Sequence, residues 1–113
     1  MTAAETAHRF VEHVWNGTRE DSVSDLVAAG CPGLHGSGPA AVLAWHRDRR
    51  AAFPDLRYEI IDLVAAEGQV AVRWRAAGTQ RGQFGPVPPT GRQVTYEGAT
   101  FLRLDEDGRI ADV

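Results

Sequence analysis

The spacing of apolar residues predicts a helical first third and a sheet in the rest of the chain. Near the start, apolar side chains recur every three or four residues, the period of one helix face; they are Ala3, Ala7, Phe10, Val11 and Val14. Thr2 is placed to cap the first turn, and Asn16-Gly17 to end the helix. We therefore expect a first helix from about residue 3 to residue 15.

Two further helices are predicted before residue 54. A short one carries Val23, Leu26 and Val27 on one face and ends near Gly30, and the loop GCPGLHGSGP follows it. The third runs from Pro39, which suits a first helical turn, to about Phe53, because "FPD" disfavours continuation. Its inward face is expected to carry Val42, Trp45, His46, Arg49 and Phe53.

After Pro54 the apolar period changes to two, which is typical of strands. The segments LRYEIIDLVAAEG and QVAVRWRAAGT read as two strands joined by a tight Glu67-Gly68 turn. VTYEGATFLRL is a third strand, DEDG a turn and RIADV a fourth strand. Helices followed by an antiparallel meander predict an α+β fold, with one curved sheet wrapped around a helical layer.

Length and composition narrow the classes of function. A chain of 113 residues fits one domain, and a formal net charge of −3 argues against a nucleic-acid partner. The single cysteine, Cys31, excludes an intramolecular disulfide. No segment is apolar enough for a membrane span or a leader peptide, no His/Cys cluster has metal-ligand spacing, and GPVPPTGR is not a phosphate loop. We expect a cytoplasmic protein without metal or cofactor.

Two polar residues occupy helix positions where the pattern calls for apolar ones. His46 and Arg49 lie on the inward face of the third helix, and buried polar groups need partners. Both are therefore candidates to line a ligand cavity, His46 as a catalytic group and Arg49 as a substrate-binding group. The alternative is that Arg49 extends to solvent at the cavity rim.

Strand alternation sorts the sheet residues into two faces. One face should carry Val70, Val72, Trp74 and Ala76 from one strand and Val94, Tyr96, Gly98, Thr100, Leu102 and Leu104 from the next. Trp74 and Tyr96 are expected to wall a pocket, although plain core packing explains Trp74 equally well. The opposite face should carry Arg73, Arg75 and Arg103, paired with carboxylates such as Glu59 or Glu97. Phe84, in the loop QRGQFGPVPPTGRQ, completes the predicted substrate contacts at a rigid lip.

Several segments occur in an order that resembles a known family. They are FVEHVWNG, AAFPDLRYEI, VAVRWRAAGTQRGQF, PPTGR and LDEDGRIADV. In kind and order they resemble the SnoaL-like polyketide cyclases of the nuclear transport factor 2-like superfamily, over nearly the whole chain. The resemblance implies a cone-shaped α+β barrel, three N-terminal helices on a curved antiparallel sheet, with a deep apolar pocket and often a homodimer.

The resemblance also implies a chemistry. Its members catalyse cofactor-independent acid/base cyclisation, an intramolecular aldol reaction, on polyketide-like or aromatic small molecules. The resemblance suggests two catalytic residues. His35 aligns with a histidine that lies near the pocket in the family, and Asp112 has the same strand parity as the family's catalytic acid. Thr100 stands where some relatives place a pocket histidine. With His46, these give catalytic candidates Asp112, His35 and His46, and substrate contacts Trp45, Arg49, Phe53, Trp74, Phe84, Tyr96 and Thr100.

Other functions remain open at this point. Relatives continue beyond the equivalent of GRIADV with further strand and a short helix, so residues 1–113 are expected to form one domain lacking that portion. One alternative is a non-catalytic ligand-binding or dimerisation module of the same fold. Another is a hydroxylase or an epoxide-opening enzyme. The epoxide-opening activity is disfavoured, because strand parity places the arginines on the outward face of the sheet and not in the pocket.

Overall fold

The N-terminal half forms a layer of helices. The computed structural model describes all 113 residues, Met1–Val113. Its helices are α1 (Ala3–Arg9), continued by a π-helical segment (Phe10–Trp15), α2 (Val23–Leu26) after a 3₁₀ turn (Glu20–Ser22), and α3 (Pro39–Ala52). Thr2 caps α1 in a reciprocal pair of hydrogen bonds with Glu5, as the sequence predicts for its N-terminus. None of the helices has the length and apolar character needed to cross a membrane.

The segment predicted as an open loop before α3 contains a small hairpin. Strands β1 (Pro32–Gly33) and β2 (Gly36–Ser37) pair antiparallel across a turn at Leu34-His35. A Cβ at Gly33 would lie 2.3 Å from the carbonyl carbon of Ala41, so only glycine allows the hairpin to approach α3 this closely.

The C-terminal half forms one antiparallel meander. It consists of β3 (Arg57–Ala66), β4 (Gln69–Thr79), β5 (Gln93–Leu104) and β6 (Ile110–Asp112), hydrogen-bonded in that order. The predicted turn at Glu67-Gly68 joins β3 to β4, and Gly68 adopts a φ of 72° there. The α+β class is confirmed, but the term barrel is loose, since β3 and β6 do not pair and the sheet stays open.

The two faces of the sheet differ as the strand alternation predicts. The concave face packs on the helices around buried residues that include Phe10, Val14, Val72, Leu102 and Ile110. On the convex face, Arg73 and Arg75 lie 3.5 Å and 3.8 Å from a carboxylate oxygen of Glu97. Neither Arg103 nor Glu59, which the sequence also suggested for such pairs, forms one.

Candidate functional site

A cavity of about 460 Å³ opens between α3 and the concave face of the sheet. Cavities of this size accommodate drug-sized organic molecules. Helix α3 contributes Val42, Trp45, His46 and Arg49, and the sheet contributes Tyr58, Trp74, Tyr96 and Thr100. Trp15, Pro32, Gly33 and Val113 complete the wall. The lining is rich in aromatic rings, and none of its twelve residues is Asp or Glu.

His46 is a deeply buried titratable side chain of this lining, with 8% of its surface exposed. Its ring stacks on Trp15 at a centroid distance of 5.5 Å and meets the edge of Phe10 at 5.9 Å. Neither ring nitrogen takes part in any of the side-chain hydrogen bonds within the protein, and the ring faces the cavity. Burial, followed by the nearby charges of Arg50 and Arg49, lowers the pKa of His46 to about 3. The imidazole is therefore neutral at physiological pH and offers one N–H and one lone pair to a ligand.

The sheet wall of the cavity is an aromatic layer with one internal hydrogen bond. The indole of Trp74 lies 5.2 Å from the ring of Tyr58 and 5.5 Å from that of Tyr96. Its Nε1–H donates to Thr100 Oγ1 at 3.0 Å, so Thr100 orients Trp74. Burial raises the pKa of Tyr58, and the neighbouring Tyr96 raises it further, so the Tyr58 hydroxyl stays protonated and able to donate.

Gly98 leaves the space that the Trp74 indole occupies. The two residues pair across β4 and β5, and a Cβ at position 98 would lie 2.5 Å from Trp74 Cζ2 and 2.8 Å from Cη2. Any larger side chain there must displace the indole. The depth of the cavity beside Trp74 therefore depends on this glycine.

Trp15 forms the inner end of the cavity and carries an unsatisfied donor. It is 4% exposed, and its Nε1–H has no hydrogen-bond partner. The backbone beneath it is fixed by Arg50, whose Nη1 donates to the carbonyl oxygens of Val14 at 2.7 Å and Trp15 at 2.9 Å. Arg50 Nη2 also pairs with Glu20 of the 3₁₀ turn, so Arg50 ties α3 both to the end of the first helical segment and to the turn that follows it.

Arg49 lies at the cavity wall one turn beyond Trp45. Its guanidinium carbon lies 4.4 Å from the centroid of the Trp45 ring and 5.9 Å from that of Phe84. Such stacking on aromatic faces holds a guanidinium without using its in-plane N–H groups. Arg49 is only partly buried, and it faces the cavity as predicted.

Asp112, a predicted catalytic residue, is exposed and does not line the cavity. The expected parity fails because the register between β5 and β6 shifts, pairing Ile110 with Leu104 but Asp112 with Arg103. Arg103 belongs to the convex face, so Asp112 leaves the face to which Ile110 belongs. The neighbouring Val113 reaches the cavity in its place.

His35 also lies outside the cavity, at the exposed tip of the β1–β2 hairpin. Its φ of 56° places it in the left-handed region, which marks it as a turn residue.

Phe53 and Phe84 do not line the cavity but support its edge. Phe53 is 8% exposed and packs in the core, with Phe84 against it at a ring distance of 5.4 Å. The loop carrying Phe84 is organised by the buried amide of Gln80, which donates to the carbonyl oxygens of Gly82, Val87 and Pro88 and accepts from Thr90. The predicted lip therefore contacts Arg49 through Phe84 and not the cavity itself.

Sequence reasoning missed Trp15 and Tyr58 as lining residues, although both left a signal. Trp15 follows Val11 by four residues, a spacing that keeps side chains on one helix face. Tyr58 pairs with Ala76, which belongs to the concave face together with Trp74. Extending the strand alternation to β3 would have placed Tyr58 in the wall.

Comparison with known proteins supports the fold independently. The family model of the SnoaL-like polyketide cyclases matches residues 5–113. No curated protein matches the chain.

Solved structures share the architecture at low sequence identity. A proposed SnoaL-like polyketide cyclase of Jannaschia sp. CCS1 is 22% identical with a TM-score of 0.84, the match covering 97% of this chain and 81% of that one. IdmH of Streptomyces antibioticus, a proposed polyketide cyclase, is 26% identical with a TM-score of 0.77, covering 99% and 88%. AclR of Streptomyces galilaeus, a proposed hydroxylase, is 23% identical with a TM-score of 0.77, covering 97% and 71%.

Proposed function

The chain belongs to the SnoaL-like polyketide cyclase family, and from that premise we propose that it is a cofactor-independent acid/base enzyme. Its substrate is an aromatic or polyketide-like small molecule with an acidified C–H next to a carbonyl group. The reaction is an intramolecular aldol cyclisation or an isomerisation through the same enolate. The observation that carries the proposal is a buried imidazole, His46, that faces an aromatic cavity without any protein hydrogen-bond partner.

His46 is the proposed proton carrier. Because its pKa is lowered to about 3, the imidazole is in its basic form at every physiological pH. In the proposed reaction its lone pair takes the proton from the carbon next to the carbonyl, leaving an enolate. The enolate carbon bonds to a second carbonyl carbon of the same molecule, and His46 returns its proton to the oxygen formed there.

The low basicity of His46 restricts the substrate. A base whose conjugate acid has a pKa of about 3 removes protons efficiently only from acidified carbons, such as those between two carbonyls or beside an aromatic ring. Polyketide-like chains and aryl ketones have such carbons. The Tyr58 hydroxyl and the positive charge of Arg49 supply stabilisation for the enolate oxygen within a largely apolar wall.

The proposal is tested by following deuterium exchange at C1 of 2-tetralone in D₂O by NMR. That C–H is acidified by both the ring and the carbonyl, so exchange reports enolisation without requiring the natural substrate. We expect the wild type to accelerate exchange over buffer, and His46→Gln to reduce the acceleration about 100-fold or more. His8→Gln, which changes an exposed histidine, should exchange like the wild type.

Two further variants test the other predicted catalytic residues, Asp112 and His35. Asp112→Asn and His35→Asn are expected to keep the wild-type exchange rate, since neither side chain lines the cavity. A large loss in Asp112→Asn with retention in His46→Gln would transfer the acid/base role to Asp112 and refute our assignment.

The second candidate is a small-ligand-binding module of the same fold. It is favoured by one observation, the lack of any carboxylate among the cavity-lining residues. This candidate predicts that 2-tetralone binds, with shifts of the Trp74 and Tyr96 resonances, while its exchange rate stays at that of buffer. Binding without acceleration would therefore replace the enzymatic proposal.

We also propose that the chain forms a homodimer through the convex face of its sheet. Val64, Ala71 and Phe101 are in register across β3, β4 and β5. Phe101 is 73% exposed and Val64 is 65% exposed, which is unusual for neighbouring large apolar side chains on a monomer. A second copy of the chain would remove this row from water.

A further inference from the structure

Arg49 is a cation at the cavity wall without a protein counter-ion. The structure contains six ion pairs, and Arg49 takes part in none of them. Two arginines of the same helix behave differently, since Arg47 and Arg50 both pair with Glu20. Among these three arginines of α3, Arg49, the one at the cavity, is therefore the one without a carboxylate partner.

The contacts that Arg49 does make leave its hydrogen-bonding edge free. Trp45 and Phe84 meet the guanidinium at 4.4 Å and 5.9 Å from their ring centroids, which are cation–π distances. An aromatic face accepts no conventional hydrogen bond, so the N–H groups in the guanidinium plane keep their donor capacity. This edge has the fork geometry that matches a carboxylate with two parallel hydrogen bonds.

The rest of the cavity is electrostatically complementary to an anion. No Asp or Glu lines it, and the titratable side chains that do are His46, Arg49, Tyr58 and Tyr96. His46 is more than nine-tenths buried and takes part in none of the side-chain hydrogen bonds within the protein, which gives a second free donor in the same space. Around these groups the wall offers flat rings, from Trp45, Trp74 and Tyr96.

We propose that the ligand of this cavity is a planar aromatic carboxylate, whose ring stacks within the aromatic wall and whose carboxylate pairs with Arg49. The inference rests on the proposed function in one respect only, that the cavity is the substrate site. It adds that the substrate carries a permanent negative charge in addition to its reacting carbonyl. Recognition of that charge also brings an anion close to His46 and favours the imidazolium that forms when His46 takes the proton.

The test compares three naphthalene derivatives of similar size and different charge by isothermal titration calorimetry at pH 7. They are 2-naphthoate, the neutral 2-naphthamide and the cationic 2-naphthylmethylammonium. We expect the wild type to bind the carboxylate at least about tenfold more tightly than the amide, and the ammonium most weakly, because charge-assisted bidentate hydrogen bonds are about twice as strong as neutral ones. In Arg49→Gln the carboxylate and the amide should bind equally.

Two variants on the same helix provide controls. Arg47→Gln removes one positive charge from an exposed side chain whose partner Glu20 keeps Arg50, so it should retain the full preference for the carboxylate. Arg49→Lys keeps the charge but loses the planar fork, and should give an intermediate preference.

The outcomes separate this inference from the proposed function. Equal binding of carboxylate and amide by the wild type, or an undiminished preference in Arg49→Gln, overturns the inference and leaves the enzymatic proposal standing. Failure of all three compounds to bind overturns both, since an aromatic cavity that serves as the substrate site must accept at least one of these rings.

Discussion

His46 is buried in a setting that opposes its protonation from several sides. Trp15 stacks on its ring, Phe10 packs against it in a T-shaped contact, and both Arg49 and Arg50 place positive charge near it. A water-exposed imidazole would titrate near neutrality, but this one has its pKa lowered to about 3. The protein therefore holds a neutral imidazole against the cavity at a cost in stability that depends on pH.

That cost gives a prediction for the unfolding equilibrium. Below pH 6.5 the unfolded chain takes up a proton at His46 that the folded chain refuses, so the free energy of unfolding falls as pH drops from 6.5 toward 3. Between pH 7 and pH 5 the loss should be about 2 kcal/mol, as the linkage relation gives for a pKa difference of this size. Urea unfolding of the wild type and of His46→Phe, at both pH values, measures it.

The His46→Phe variant keeps a ring on Trp15 but cannot titrate. Its stability should change less than that of the wild type over the same pH interval. The acidic groups with lowered pKa values, Glu5, Glu20 and Asp55, titrate below this interval and are the same in both proteins, so they do not affect the comparison. Parallel pH profiles for the two proteins would contradict the prediction.

The candidate residues show which site features a sequence reveals. His46 and Arg49 were found because a polar residue at an apolar helix position needs a partner, and both do line the cavity. The expected direction of Asp112 was wrong, because strand alternation assumes an unbroken register and β6 shifts its register against β5. A shift of one residue reverses the face of a side chain and leaves no trace in the alternation.

Among the elements, α3 is joined to the first helical segment by one of its side chains, Arg50. Arg50 donates to the carbonyl oxygens of Val14 and Trp15 and pairs with Glu20, with 17% of its side chain exposed. These bonds hold the backbone under Trp15, and thereby the ring on which His46 stacks. The shape of the inner cavity thus depends on a residue that does not line it.

Replacing Arg50 by alanine is expected to lower the free energy of unfolding by about 2 to 4 kcal/mol, because charged hydrogen bonds are lost and two carbonyls lose their partner. Denaturant unfolding at pH 7 measures the effect. The matched substitution Arg47→Ala, at a position 61% exposed, should cost much less, because an exposed ion pair is screened by water and Glu20 keeps Arg50 as its partner. Similar losses in the two variants would show that the backbone contacts of Arg50 contribute little.

The long elements were predictable and the shortest ones were not. Strand-like segments of ten or more residues identify β3, β4 and β5, and three turns of amphipathic spacing identify α3. The strands β1 and β2 have two residues each, too few for any period to be seen. Their pairing depends on the packing of Gly33 against α3, which is a tertiary contact.

At the scale of the whole molecule, the open sheet leaves a convex face with an apolar row at its centre. If two copies associate through Val64, Ala71 and Phe101, a charge within that row must break the association. We expect Phe101→Glu to be monomeric where the wild type is dimeric, with little loss of fold stability because the side chain is 73% exposed. Sedimentation equilibrium across a concentration series measures the mass.

Thr95→Glu is the matched control for the assembly. It adds the same charge to the same face of β5, opposite Ala77 and away from the apolar row. A dimeric Thr95→Glu beside a monomeric Phe101→Glu would support the interface. A monomeric wild type, or a dimeric Phe101→Glu, would disprove it.

The space that Gly98 leaves for the Trp74 indole has a consequence for how the substrate range of such a protein changes in evolution. Every single-base change of a glycine codon that is not silent encodes a residue bulkier than glycine or ends the chain, and any Cβ at this position meets the indole at 2.5 Å. A single point mutation at position 98 therefore changes the shape of the cavity by displacing Trp74, while the proposed proton carrier, His46, and the proposed anion-binding group, Arg49, remain unchanged. Substrate range can thus drift, or be selected in the laboratory, through a residue that the substrate never touches.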